Sequence, residues 1–455
     1  MKTRNIFNSY TIILLLLSVF FSCDKYLSEK PDKSLAIPST LKDFQALLDN
    51  DGSLAWDPNT GEISAGDFYL TQADWKSLSS EPHRRAYLWE RDYLFEKYST
   101  DWRAFSTAVY YCNTALEGLQ KVERMANQPD QYDDIKGQAL FFRAKNVFGA
   151  SAIWCSAYDQ ATASKDMGLP LRQNTNFNEL SIRSSMQDTY DQIIFDLKKS
   201  IPLLPIVPVS RIRPSRPAAY GLLARVYLSM RKYSDAALYA DSCLQLYNNL
   251  MDYNSLVGSN ATYPFLNFNN EVILFGGAST GQILNLSRAR IVDELYEQYE
   301  TDDLRRTLFF TNNSDGSHGF KGRYSGSASL FFGLATDEQM LIKAECLARA
   351  KRHKEAMAVL NELLVTRWKS GKFSPLIADN EAQALDIILL ERRKGLLFRG
   401  LRWLDLKRLN KEGREITLRR TLDGKEYLLH PNDLRYALPI PEDIIEISGM
   451  PQNPR

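Results

Sequence analysis

Glu62 and Asp67 are the residues whose types and spacing could do acid–base chemistry. Paired carboxylates hydrolyse glycosidic bonds when a fold holds them roughly 5 to 9 Å apart. The sequence has no phosphate-binding loop, no dinucleotide-binding glycine motif and no serine nucleophile elbow, and its histidines lack the i, i+4 spacing of a helical zinc pair. We therefore predict no catalytic residue, no cofactor and no metal site. The alternative is a surface hydrolase that uses these two carboxylates.

Cys23 is the second residue whose position indicates chemistry. It follows the apolar run 12–21, and Lys2 and Arg4 precede that run, as in an export signal. The run is shorter than the roughly 20 apolar residues that span a bilayer. A small residue, Ser22, followed by cysteine at the end of such a run is typical of a bacterial lipoprotein signal, in which the thiol is acylated. We expect lipidation at Cys23, and the alternative is an ordinary signal peptide with an incidental cysteine.

The charge balance argues against a nucleic-acid partner. Lysine and arginine together number 56, and aspartate and glutamate together number 55. No global field therefore exists that would attract a phosphate backbone or an anionic bilayer.

Four further cysteines lie far apart inside helical patterns. Disulfides among them are conceivable in an oxidising compartment, but a buried free thiol is the commoner fate of such residues. We predict that all four are buried and unpaired; they are Cys112, Cys155, Cys243 and Cys346.

Most of the segments that would position a site have the apolar periodicity of α-helices. Apolar residues recur every three or four positions over 101–122 and 135–154, which predicts an antiparallel helical pair, and over 184–205, which predicts a third helix. The segment 384–409 is amphipathic and predicts one long charged helix. Its charged residues are expected to form structural ion pairs.

Two segments have the small and aromatic residues of tetratricopeptide helix pairs. Segment 213–248 has Ala236, Ala240 and Cys243 at positions where helices approach closely, and the same offsets recur in segment 339–368. Such repeats cannot bury their faces alone, so they must stack on the earlier helices. The predicted fold class is mainly α, a tetratricopeptide-like helical-repeat scaffold with long irregular loops and little β structure.

The predicted organisation has three parts. Residues 1–22 form the signal peptide, residues 23–40 a polar tether with two prolines, and residues 41–455 a single helical domain. The halves of that domain meet at about residue 210. The stretch from Asp49 to Glu90 is rich in Gly, Asp, Ser and Trp without clear periodicity, so we expect loops there.

The cysteine at the end of the signal, the tetratricopeptide-like helix pairs and two motifs near the C-terminus follow each other along the chain. Together they resemble the SusD/RagB family of Bacteroidetes outer-membrane lipoproteins. That family typically has an E-R-R…G-x-R-W-x-D-L helix and a P-I-P…Q-N-P ending. The residues that match the first motif are Glu391, Arg392, Arg393, Gly400, Arg402, Trp403, Asp405 and Leu406, and those that match the second are Pro439, Ile440, Pro441, Gln452, Asn453 and Pro454.

The resemblance implies a lipid-anchored protein at the surface of the outer membrane that binds nutrients. It would form a lid on a SusC-like TonB-dependent transporter and capture oligosaccharides or, in some relatives, peptides, without performing covalent chemistry. A second class of hypothesis is a helical-repeat scaffold that binds a partner protein and no small ligand.

Loop residues with the chemistry of sugar recognition follow from this resemblance. Aromatic faces pack on sugar C–H surfaces, while carboxylates and amides bond to the hydroxyl groups. We predict ligand contacts from Asp67, Tyr69 and Trp75, with Asn285 from a later loop as a further partner. The alternative is that Tyr69 and Trp75 fill the helical core.

Overall fold

The computed structural model describes residues 38–455 except 99, 125–128 and 259–260. Cys23, the signal peptide and most of the tether lie outside the described residues. The first helices and strands in chain order are α1 (Leu41–Leu48), α2 (Asp51–Leu54), α3 (Thr60–Ser64), β1 (Phe68–Tyr69), α4 (Gln72–Lys76), α5 (Glu81–Tyr87), α6 (Thr100–Leu119), α7 (Pro129–Trp154), β2 (Met167–Pro170), β3 (Arg183–Ser185), α8 (Met186–Ser200), α9 (Arg216–Ser229) and α10 (Tyr233–Leu246).

The second half of the chain holds the remaining elements. These are β4 (Val272–Leu274), β5 (Gly277–Ala278), β6 (Arg290–Ile291), α11 (Asp293–Tyr296), α12 (Arg305–Leu308), β7 (Phe310–Asn312), β8 (His318–Phe320), β9 (Leu330–Phe331), β10 (Leu334–Ala335), α13 (Thr336–Arg349), α14 (His353–Leu364), α15 (Glu381–Gly395), α16 (Arg402–Asn410), β11 (Leu418–Leu422), β12 (Lys425–Leu429) and α17 (Glu442–Ser448). Short 3₁₀ turns occur at Tyr253–Leu256, Val365–Arg367 and Leu434–Tyr436.

Helices α6 and α7 form the predicted antiparallel pair. The Tyr132 hydroxyl near the start of α7 donates to the Leu119 carbonyl at the end of α6 at 3.0 Å. At the opposite end, the rings of Trp102 and Trp154 meet edge to face with centroids 4.9 Å apart. Helix α8 packs on α7, and Ser185 begins it with a capping box that includes Asp188.

The two predicted repeats are confirmed as the helix pairs α9–α10 and α13–α14. Ala236, Ala240 and Cys243 of α10 are fully buried, which lets the helices approach closely. Helix α10 also packs against α13, so the two repeats stack although much intervening sequence separates them. The mainly α repeat fold predicted from the sequence is therefore confirmed.

The long helix predicted over 384–409 is wrong as a single element. The structure divides it into α15 and α16 because Phe398 and Gly400 both take left-handed backbone conformations, with φ of 54° and 72°. A Cβ atom at residue 400 would lie only 2.7 Å from the Phe332 ring, so glycine is required there.

The stretch from Asp49 to Glu90 is more regular than predicted. It contains the short helices α2 to α5 and the strand β1. N-terminal capping explains why two of these helices form. The side chains of Thr71 and Ser80 accept backbone hydrogen bonds from the first turns of α4 and α5.

The helices enclose one apolar core, which includes Phe141, Trp154 and Leu223. A small four-stranded antiparallel sheet in the order β1-β6-β8-β7 covers a second apolar core, which includes Phe310 and Phe320. Phe68 pairs with Ile291 and both point into that core, whereas Tyr69 pairs with Arg290 on the outer face. The sheet therefore fixes which side chains of β1 can meet a ligand. Among the described helices, none combines the length and apolarity needed to cross a membrane.

The charged residues around α15 and α16 form buried ion pairs, as predicted. Arg392 Nε lies 2.9 Å from Asp405 Oδ2, and Arg305 Nη2 lies 2.7 Å from Glu391 Oε2. Arg408 contacts both carboxylate oxygens of Glu345. These pairs tie α16 to α13 and α15 to α12.

Candidate functional site

The loop segments that carry three of the predicted ligand residues lie against each other. Residues 69–84 meet residues 279–290 along a surface that we call the seam. In its centre, Asp74 Oδ2 lies 2.5 Å from Arg290 Nη1. At one end, the backbone N–H and the hydroxyl of Ser79 both donate to Gln282 Oε1 at 3.0 Å. The sheet and these bonds thus bring Tyr69, Trp75 and Asn285 to one surface.

Tyr69 and Asn285 have polar groups free for a ligand. The half-buried Tyr69 hydroxyl makes no hydrogen bond to another described residue, and burial followed by the charge of Asp293 raises its pKa. Asn285 Oδ1 accepts from the Arg288 N–H at 3.0 Å, which leaves its amide N–H₂ group without a partner among the described residues. Both groups can therefore donate to a hydroxyl-rich ligand.

Trp75 is partly in the core and partly at the surface. Its ring packs against the second apolar core, its Nε1–H donates to the Arg84 carbonyl at 3.3 Å, and the Arg84 guanidinium lies 5.9 Å from the ring centroid. The remaining ring surface is open to solvent. Trp75 is thus rigidly held with one part available for contact.

Asp67 has a structural role instead of the predicted ligand contact. Its side chain is only 2% exposed, and Oδ1 lies 2.7 Å from Arg393 Nη2 and 3.5 Å from Arg402 Nε. Asp67 would have to leave its buried position and this ion pair to reach a ligand. We therefore remove Asp67 from the candidate site.

Glu62 lies beside this ion pair and is equally enclosed. Its Oε2 accepts the Gly400 N–H at 2.9 Å, while Oε1 has no hydrogen-bond partner. The adjoining cavity has about 60 Å³, which is room for a few water molecules but not for a sugar. The pair Glu62 and Asp67 therefore does not face a substrate-sized cleft.

We expect Glu62 to make stability fall as the pH rises. Burial, and next the charge of Asp67, raise the pKa of Glu62 from 4.5 to about 8. Between these values the unfolded carboxyl loses its proton while the folded one keeps it, so folding stability declines by up to about 4 kcal/mol. Urea unfolding at several pH values from 5 to 8.5 measures this slope.

Glu62→Gln should flatten the slope, because the amide oxygen can still accept the Gly400 N–H. Glu381→Gln, at an exposed carboxylate, is the matched control and should retain the wild-type slope. Parallel pH profiles of wild type and Glu62→Gln would show that Glu62 does not hold a proton in the folded protein.

The structure also contains a groove that the sequence analysis did not identify. It has a volume of about 270 Å³ and lies between α6, the loop after β2 and α17. Its lining includes the aromatic pair Tyr110 and Phe177 and the buried rings of Trp102 and Phe105. The local sequence signal for this groove was Phe177, an aromatic residue inside the polar stretch "RQNTNFNEL". Its partner Tyr110 lies on α6, and the spacing in the sequence does not identify that pairing.

Residues 25–228 match the sequence model of the SusD-like_3 family, which is described as starch-binding and associating with the outer membrane. No curated protein matches the chain. Solved structures resemble it over most of its length at low sequence identity, which shows a shared fold.

Three of these structures come from Bacteroides. A SusD superfamily protein from Bacteroides thetaiotaomicron has a TM-score of 0.75 and 19% identity, with 91% of this chain and 100% of that chain covered. A SusD superfamily protein from Bacteroides fragilis has a TM-score of 0.72 and 18% identity, with coverage of 91% and 99%. A SusD-like carbohydrate binding protein from Bacteroides vulgatus has a TM-score of 0.67 and 18% identity, with coverage of 90% and 96%.

The family match lies in the N-terminal half, and the shared fold covers about nine tenths of the chain. With the sequence model matched over residues 25–228 and the fold shared over nine tenths of its length with solved SusD superfamily proteins, this chain is similar to the SusD-like family.

Proposed function

We propose that this protein is a carbohydrate-binding lipoprotein of the outer membrane. It captures oligosaccharides at the cell surface, delivers them to a SusC-like TonB-dependent transporter and performs no covalent chemistry. The observation that carries this proposal is the match of residues 25–228 to a family described as starch-binding and associating with the outer membrane. Tyr69 and Trp75 lie inside the matched range.

The seam has the chemistry that an oligosaccharide needs. The open part of the Trp75 ring can pack against sugar C–H groups, and the Tyr69 hydroxyl and the Asn285 amide can donate to sugar hydroxyl groups. The ion pair of Asp74 with Arg290 holds the two loop segments together. A preformed surface of this kind loses little conformational entropy on binding.

The organisation of the chain follows from the same proposal. Residues 1–22 direct export, residues 23–40 connect the lipid on Cys23 to the folded part, and residues 41–455 form one domain whose halves meet at about residue 210. A peptide-binding protein and a scaffold without a small ligand are the alternatives. Calorimetry with maltoheptaose and with short peptides separates them, because the scaffold should bind neither ligand.

Tyr69→Phe is expected to weaken maltoheptaose binding about fivefold, the effect of one lost hydrogen bond. The melting temperature should stay nearly unchanged, because the Tyr69 hydroxyl bonds to no other described residue. This substitution is cleaner than Trp75→Ala, since the Trp75 ring also packs against the core. Isothermal titration calorimetry with a parallel thermal melt measures both quantities.

Tyr220→Phe is the matched control. Tyr220 is also half-buried, but it lies on α9 in the first repeat and stacks on Tyr239, away from the seam. Its replacement should leave maltoheptaose affinity unchanged. Equal affinities of wild type and Tyr69→Phe would place the ligand elsewhere, and a wild-type protein that binds no saccharide would contradict the proposed function itself.

A further inference from the structure

The groove beside α6 presents an aromatic pair to solvent. Phe177 is 79% exposed, and its ring lies 4.9 Å from that of Tyr110 with an angle of 32° between the ring planes. Val109, Ile444 and Met450 line the apolar wall below the two rings. A phenylalanine exposed to this degree gains little from the hydrophobic effect in the folded protein, so its position needs another explanation.

The loop that carries Phe177 is fixed to α6. The fully buried Asn113 donates from Nδ2 to the carbonyls of Arg172 and Asn174 at 3.0 and 3.2 Å. One turn further along α6, Glu117 accepts the Thr175 N–H at 2.9 Å and the Thr175 hydroxyl at 2.6 Å. Two side chains of the helix therefore hold the loop on both sides of residue 174.

Arg172 organises the tip of the same loop from within. Its guanidinium donates to the Asn176 carbonyl at 3.3 Å, to the Ser181 hydroxyl oxygen at 2.9 Å and to the Glu179 carbonyl. Phe177 is thus presented by a preorganised loop and cannot turn into the core without breaking these bonds. Rigid presentation of an aromatic face lowers the entropic cost of binding a ligand.

The polar groups around the two rings indicate which ligand fits. The Tyr110 hydroxyl and the Asn176 amide N–H₂ group make no hydrogen bond to another described residue, and the Ser181 hydroxyl proton is also free to be donated. Arg172 is the charged residue in the lining, and the loop carbonyls and Glu179 already engage its guanidinium. The groove therefore offers aromatic faces and neutral donors but no available charge for a carboxylate or a phosphate.

We infer that this groove is a second carbohydrate subsite that takes a neutral sugar. The sugar ring places its C–H face on Phe177 and Tyr110, and its hydroxyl groups accept from the Tyr110 hydroxyl and the Asn176 amide. The volume of about 270 Å³ lies just below the usual range for ligand pockets, about 300–1,000 Å³, and suits one or two sugar units of a longer chain. This inference rests on the proposed carbohydrate function and adds a site separate from the seam.

Calorimetry with maltose, maltotriose and maltoheptaose tests the groove. Phe177→Ala should weaken binding at least about fivefold, because it removes the exposed stacking face. The fold should be unaffected, since that side chain is largely in solvent. The matched control is Phe195→Ala, which removes another exposed phenylalanine outside the groove and should bind like the wild type.

The outcomes separate the groove from the general proposal. If Tyr69→Phe weakens binding while Phe177→Ala matches the wild type, the groove inference is wrong and the carbohydrate function stands. If the wild type binds none of the three saccharides, both are wrong. If a neutral peptide binds and Phe177→Ala abolishes that binding, the groove is a site for peptides and the sugar assignment fails.

Discussion

Replacing Arg408 by methionine is expected to lower the free energy of unfolding by about 3–5 kcal/mol. Arg408 is 1% exposed, and its guanidinium lies 2.5 and 2.8 Å from the two oxygens of Glu345 and 2.8 Å from Asp405 Oδ1. Methionine keeps much of the side-chain volume, but the buried carboxylates of Glu345 and Asp405 each lose the guanidinium of Arg408 as a partner. Removing one member of a buried pair is costly because the remaining charge has lost its water as well.

Two further arginines set the upper limit of this effect. Arg349 Nη2 lies 2.9 Å from Glu345, and Arg392 Nε lies 2.9 Å from Asp405, so neither carboxylate becomes fully unpaired. Burial alone would raise the pKa of Asp405, but Arg392 and Arg408 outweigh burial and hold it at about 2. Without Arg408 that pKa should rise toward its ordinary value of 3.8, so the variant should lose less stability than the wild type when the pH falls from about 4 to 2.

Urea unfolding at neutral pH measures the loss. Arg419→Met is the matched control, because Arg419 pairs with Glu426 on an exposed hairpin where solvent screens the interaction. Its replacement should change the stability little. Equal losses in the two variants would show that burial does not set the strength of the Arg408 pairs.

The ion pairs illustrate how far the sequence alone can be read. The spacing within 384–409 predicted charged residues on a helix with structural pairing, and the pair Arg392–Asp405 confirms it. The partner Glu345 lies 63 residues before Arg408, on another helix, so local periodicity cannot identify it. The break between α15 and α16 was missed because Phe398 takes a left-handed conformation that its residue type does not predict.

In the candidate site, contacts between residues far apart in the chain were even harder to predict from the sequence. Asp67 has the sequence context of a solvated loop, yet it is buried against Arg393, which is 326 residues away in the chain. Tyr69 and Trp75 were proposed as ligand residues because aromatic residues in an irregular stretch are a local signal. Phe177 was not proposed, because its exposed position depends on Asn113, Glu117 and Tyr110 of a helix about 60 residues earlier in the chain.

Replacing Cys23 by serine is expected to abolish incorporation of radioactive palmitate and to release the protein from the membrane fraction. The lipid would be bonded through the Cys23 thiol, and stable anchoring needs more than one acyl chain. Ser22→Ala is the matched control, because it keeps a small residue before an intact cysteine and should still incorporate label.

The other cysteines make a second readout of the same prediction possible. All four described cysteines are buried and unpaired, as the sequence analysis predicted. Burial raises the pKa of Cys112 and Cys346 to about 12 and that of Cys155 to about 11, and it also raises the pKa of Cys243. Because the thiolate is the reactive form, these thiols should react slowly with thiol reagents in the folded protein.

A rapidly reacting thiol therefore reports on Cys23 alone. Folded protein produced in the cytoplasm without residues 1–22 should show one fast thiol, and protein exported through its own signal should show none, because the lipid blocks Cys23. A fast thiol in the exported protein, or label that persists in Cys23→Ser, would contradict lipidation at Cys23. The similarity to the SusD-like family would survive that result, since it rests on residues 25–228 and on the shared fold.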